Sequence, residues 1–186
     1  MKEELTTPPS NYPITVAQIR EHLNIDHYDD DKLLEIYLAQ AIDYCQRKTG
    51  IQIGTQTWTI YGDTWCDVVM LYYQPVTDVL INYYAEGGDT MQMLDPALYV
   101  VDTKSYPATI TYTDFENLPP LDDRPNNVEC RVTTGYTSTL SKTLESAIYL
   151  MTGHLYERRE ATSPIQIYTV PLGVEEMLNT QRVDFL

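Results

Sequence analysis

Residues 30–50, DDKLLEIYLAQAIDYCQRKTG, carry the longest run of one clear period in this chain of 186 residues. Leu33, Leu34, Tyr37, Leu38, Ala41, Tyr44 and Cys45 recur at steps of three and four, which gathers them on one face of a helix. Asp29 to Asp31 crowd its start, where free N–H groups favour anions. Arg47 and Lys48 stand at its end, where cations are favoured, and Gly50 suits the left-handed stop. Period, charge and stop agree on a helix of about five turns. Its apolar stripe needs a partner.

Two candidates flank it. Upstream, ITVAQIREHLN places Thr15 and Gln18 at capping-box spacing, with Val16, Ile19 and Leu23 on a short apolar face, so a first helix is expected over residues 15–24. The short acidic connector 25–29 makes these two helices neighbours in space. Downstream, SKTLESAIYLMTGHLYERREA repeats Leu144, Ile148, Met151 and Leu155 at i, i+4, i+7 and i+11. This helix, 141–160, is the natural partner for the stripe of Leu33, Leu34, Leu38 and Ala41.

Between the helices the pattern turns to short runs rich in β-branched and aromatic residues: 55–61, 67–73, 78–84, 90–94, 98–102, 108–112 and 128–134. Gly87-Gly88 offers the positive φ angles of a tight turn, so the runs beside it are expected to pair. The fold class is therefore α+β: a helical core with an inserted antiparallel β region over 51–135. Residues 1–13, with Pro8, Pro9 and Pro13, read as an extended, mobile arm. Residues 14–163 read as one domain, its helical core formed by 14–50 and 141–161. Residues 164–186 read as an extended piece followed by a short helix from Val174, with Ile165, Ile167, Leu172, Val174, Met177, Leu178, Phe185 and Leu186 as apolar positions. A tail this apolar either packs on its own core or docks into a neighbour.

The net charge is −15, with no gathered basic cluster, which speaks against nucleic-acid binding. Sixteen tyrosines supply broad contact area with polar tips, a composition suited to interfaces. Three widely spaced cysteines argue against a disulfide framework and fit a reducing compartment. No leader peptide opens the chain and no apolar run is long enough to span a bilayer, so no membrane partner is expected. Asp26 and Asp29 to Asp31 with His22 and His27 form the one cluster resembling a metal or acid–base site. Consecutive aspartates at a helix start fan outwards, so capping and solvation account for them better than ligation. His154 reads as a half-buried helix residue, because no motif sets a nucleophile beside it. No phosphate-cradling, dinucleotide, zinc-protease or serine-hydrolase motif occurs. No catalytic residue, metal or cofactor is assigned.

An ordered set of segments resembles the head–tail connector (adaptor) proteins of tailed double-stranded-DNA phages. The set comprises ITVAQIREHLNID, DDDKLLEIYLAQAIDYCQRKTG, TQTWTI, QPVTDVLINYY, LDPALYVVD, DRPNNVECRVTTGY, LESAIYLMTGHLYERREA and VPLGVEEMLNTQR, in that order from Ile14 to Arg182. Two departures stand out. The helix near Ser141 lacks the proline often found there, and Thr180-Gln181 replaces a proline turn after VEEMLN. The resemblance implies a structural virion protein that assembles in the host cytoplasm into a ring of about twelve copies. Such a ring lies at the neck beneath the portal, joins it to the next neck or tail protein, and lets DNA pass without specific binding. In that family the C-terminal segment reaches into the portal, which would make Ile165, Ile167, Leu172, Gly173, Val174, Met177, Leu178, Phe185 and Leu186 the docking tail. A stopper or tail terminator is the alternative neck role, and a metal-dependent hydrolase using the His22–Asp31 cluster is the remote one.

Overall fold

The helix read from residues 30–50 is α2, Asp31–Thr49, in a computed structural model that describes residues 2–9, 11–136, 139–158 and 172–182. Gly50 ends it at φ 76°, its N–H donating to the Gln46 carbonyl at 2.9 Å. Ahead of it, α1 (Val16–Leu23) opens with the expected reciprocal cap. The Thr15 N–H donates to Gln18 Oε1 at 2.8 Å, and Thr15 Oγ accepts from the Gln18 N–H. Asn24 closes α1 in the left-handed conformation, φ 55°. Downstream, α3 spans Lys142–Glu157, and Ser141 Oγ accepts the Leu144 N–H at 3.2 Å. A serine cap thus starts α3 without the proline. The last helix, α4, is Leu172–Gln181.

The chain divides into two units. One holds residues 12–53 and the described residues from 139 on, hence the four α-helices α1 to α4. Within it α2 packs along α3, and α1 and α4 each lie against both. Leu34, Leu38, Ala41, Ile42 and Cys45 of α2 are buried, as are Leu144, Ala147, Ile148 and Met151 of α3. Burial pushes the Cys45 thiol up to about 12.

The other unit holds residues 2–9, 11 and 54–136 and carries eight strands in two antiparallel sheets. The larger has the order β1 (Lys2–Thr7), β2 (Gln56–Gly62), β8 (Val128–Thr134), β4 (Val76–Tyr84), β5 (Met91–Met93). The smaller has the order β3 (Met70–Leu71), β7 (Ala108–Tyr112), β6 (Tyr99–Asp102). Register aligns Ile60 with Cys130 and Cys130 with Ile81, a row that enters the core with Val68, Leu71, Leu94, Ile110 and Val132. Because side chains alternate across a strand, Arg131, Leu80 and Asn82 fall on the opposite face. Tyrosine tips buried here find carbonyls: Tyr99 donates to Val79 at 3.0 Å and Tyr112 to Trp65 at 3.1 Å.

Two stretches differ from their sequence reading. Residues 67–73, read as one strand, are a one-turn helix at Trp65–Val68 followed by the two-residue β3. Asp67 Oδ2 accepts the N–H groups of Thr64 at 2.8 Å and Asp63 at 2.9 Å, so a local cap outcompetes the extended ladder. Those N–H donors, Thr64 foremost, hold the Asp67 carboxyl below its usual range. The arm read at residues 1–13 contains β1, one edge strand of the larger sheet, which pairs with β2 from Lys2↔Tyr61 to Thr7↔Thr57. All six of its residues are exposed. It is held by the ladder, by the bond between the Thr6 and Thr59 hydroxyls, and by the Tyr73 hydroxyl donating to Glu3. Burial, then Glu3, raises the Tyr73 phenol. The Gly87-Gly88 turn joins β4 to β5, with Tyr84 facing Met91.

Candidate functional site

The helical unit is where most of the singled-out residues meet. Leu34, Leu38 and Ala41 are buried on α2, and Leu144, Ile148 and Met151 on α3, while Leu33 and Leu155 are half-buried at the edges. Ile42, outside the stripe read from the sequence, is fully buried. Its spacing of four from Leu38 is the signal that would have included it.

Of the tail read at 164–186, the structure describes residues 172–182, where the short helix is α4. Ile165, Ile167, Phe185 and Leu186 lie outside the described residues. Leu172 opens α4 and Gly173 is exposed, but Val174 and Leu178 are buried and Met177 is half-buried, within a helix packed on α2 and α3 of its own chain. Val174 and Leu178 are therefore not free anchors here. Their i, i+4 spacing makes one short apolar face, and the same-chain helices are at hand to cover it. Ser141 Oγ donates to Gln181 Oε1 at 2.7 Å, fixing the end of α4 beside the start of α3. Where α4 lies against α2, burial and after it the Glu175 carboxylate raise the Tyr44 phenol.

Within the His22–Asp31 cluster, His22, Asp30 and Asp31 make contacts with other helices, while Asp26, His27 and Asp29 are exposed. Asp30 Oδ2 accepts the Tyr156 hydroxyl at 2.5 Å, and Asp31 pairs with Arg20 at 3.0 Å. His22 stacks obliquely on Tyr149, ring centroids 5.2 Å apart. Asp30 stands at the start of α2 yet makes no side-chain capping bond. Among the described residues no group of three or more His, Cys, Asp or Glu is placed to hold a metal ion, and no helix is long and apolar enough to cross a membrane.

Charge is uneven. Among the described residues the β unit carries fourteen acidic and four basic residues, the helical unit eleven and seven. Eight of the β unit's acids are Asp63, Asp67, Glu86, Asp89, Asp114, Glu116, Asp122 and Asp123, in the loops after β2 and β4 and before β8. Contacts draw these loops together at one end of the larger sheet. The Asn126 N–H donates to Asp63 at 2.7 Å, Glu86 N–H to the Pro120 carbonyl at 3.0 Å, and Ala85 bridges Leu121. Arg124 is the single basic residue in these loops; it pairs with Asp122, donates to the Gly88 carbonyl at 3.0 Å and lies over the Tyr84 ring. Such a rim repels phosphate.

What the geometry offers is surface: a packed helical unit and an acidic sheet end. Residues 13–94, which span α1, α2 and β2 to β5, match a family model described as Phage gp6-like head-tail connector protein. That match covers less than half of the chain. Solved structures extend the likeness in fold to the whole chain. A chain from the "Virion of native gene transfer agent (GTA) particle" aligns at TM-score 0.79 and 20% identity, covering 100% of this chain and 97% of that one. A chain from the "Neck of empty GTA particle computed with C6 symmetry" aligns at 0.79 and 19%, with the same coverage. One from the "Neck of native GTA particle computed with C12 symmetry" aligns at 0.76 and 20%, again with that coverage. No curated protein matches the sequence. The region matched by the connector family contains the helix pair α1–α2.

Proposed function

We infer that this chain is a structural neck protein of a tailed particle, a head–tail connector that forms a ring beneath the portal and leaves a channel for DNA. The observation that carries this reading is the connector match over residues 13–94 together with a fold shared along the full chain with proteins of a particle neck. The match favours a connector over a stopper or tail terminator. The relatives are structural particle proteins, and the motif-poor sequence suits the same kind of role. A neck structure computed with C12 symmetry is consistent with about twelve copies here, in a closed heterologous ring. The acidic loops of the β unit would let duplex DNA pass without adhering, wherever they meet it.

Portal attachment is assigned to the chain's end. With Val174 and Leu178 buried in the helical unit, the docking role falls to Ile165, Ile167, Leu172, Phe185 and Leu186, with the exposed Gly173 and half-buried Met177 of α4 beside them. Replacing Phe185 and Leu186 together by serine is expected to leave the circular-dichroism melt unchanged and to reduce co-sedimentation with portal at least tenfold. Wild-type co-sedimentation by that double variant would remove the C-terminus from the portal contact.

A further inference from the structure

Two helices of the helical unit leave apolar residues in solvent. α2 and α3 pack along one another, and Tyr156 near the end of α3 bonds Asp30 at the start of α2, so the two helices run antiparallel. Their buried faces, marked by Leu38 and Ile148, turn inward, and α1 and α4 cover their flanks. Each helix then keeps one far face in solvent. At about 100° per residue, Ile36 lies roughly 200° from Leu38, and Leu150 the same angle from Ile148. Both are large apolar residues left in water, Ile36 54% and Leu150 42% exposed.

Heights along the pair follow from the Asp30–Tyr156 contact. Ile36 is six residues beyond Asp30 and Leu150 six residues before Tyr156, which sets each about 9 Å along the axis at about 1.5 Å per residue. Gln40 and Ser146, both exposed, each sit ten residues away, about 15 Å along. Asp43 and Lys142 follow at about 20 Å, thirteen and fourteen residues away. Apolar is level with apolar, polar with polar, acid with base. Asp43 is held by Arg47 at 2.7 Å, and Lys142 by Glu145 at 2.7 Å, each on its own helix. Set side by side, the exposed Asp43–Arg47 pair and the exposed Lys142 with its half-buried partner Glu145 would form an alternating four-charge group, since surface pairs of this kind are weak enough to share.

We propose that the far face of α2 in one copy packs on the far face of α3 in the next, with Ile36 against Leu150, Gln40 against Ser146 and Asp43 beside Lys142. Rotation about an axis running along the helix pair keeps every residue at its height, so the levels that match within one chain also match between neighbours. Because the two faces are different surfaces pointing apart, the contact is heterologous and propagates until it closes. The proposal rests on the ring reading above and names the surface that makes it.

The test joins the two residues covalently in protein assembled on its portal. In a Cys66→Ser background, which removes the exposed thiol, Ile36→Cys and Leu150→Cys are introduced singly and together. Mild oxidation of the double variant is expected to give a ladder of covalent multimers beyond the dimer, whereas each single variant stays monomeric on a denaturing gel. A dimer from Ile36→Cys alone would overturn the proposal in favour of a two-fold contact. Rings seen on grids without any ladder would overturn it and leave the ring reading standing. An absence of rings for the unsubstituted protein would overturn both.

Discussion

Ile148→Asp is expected to unfold the helical unit, while Leu150→Asp two residues along the same helix leaves it intact. Ile148 has no solvent exposure, and its neighbours on the buried stripe are Leu144, Ala147 and Met151. An aspartate there removes apolar contact and strands a carboxylate among groups that cannot hydrogen-bond it, at a cost of more than about 3 kcal/mol. Leu38→Asp on the facing helix carries the same expectation, because Leu38 is only 5% exposed. At Leu150 the new carboxylate stays in water, and the change is expected within about 0.5 kcal/mol. Urea unfolding followed by far-ultraviolet circular dichroism separates the cases. A soluble, cooperatively folding Ile148→Asp with a wild-type midpoint would show that α3 does not bury this face.

Gly135→Ala is expected to be nearly as costly, for a reason of backbone rather than core. Gly135 stands just after β8 at φ 102°, where L side chains are strained, and its N–H donates to the Pro75 carbonyl at 2.9 Å. A Cβ built there would sit 1.9 Å from the Gly54 carbonyl oxygen and 2.7 Å from its carbon. Both are backbone atoms, so nothing can rotate away. The strained φ costs about 1–3 kcal/mol, and the clash forces the strand end off Gly54 in addition. Gly87→Ala supplies the comparison: φ is 71°, yet no atom lies within 4 Å of the added carbon. Its loss is expected near the αL penalty of about 1–2 kcal/mol. Equal unfolding midpoints for the two variants would contradict the close approach at Gly54.

The helices were legible because each carries its own evidence. α2 and α3 show the apolar period, and Thr15 with Gln18, Ser141 and Gly50 punctuate the ends where the structure places them. β2, β4 and β8 were legible through β-branched and aromatic runs bounded by turn residues. What was not legible depends on partners far away in the chain. KEELTT has no alternation to announce a strand, and it becomes β1 only because β2 leaves an edge open to it. Asp67 looked like the first residue of a strand, but its carboxylate meets two backbone N–H groups and bends the chain into a turn. Val174 and Leu178 announced an apolar face without saying which surface would cover it; α2 and α3 of the same chain do. Ile36 passed unnoticed because a residue off the stripe reads as solvent-facing, which it is until a second copy arrives.

Purified protein mixed with its portal and imaged by electron microscopy addresses the connector role most directly. One additional coaxial ring beneath the portal, with α2 and α3 of adjacent copies in contact, is the expected result. A portal left bare while the protein caps a tail tube instead would contradict it.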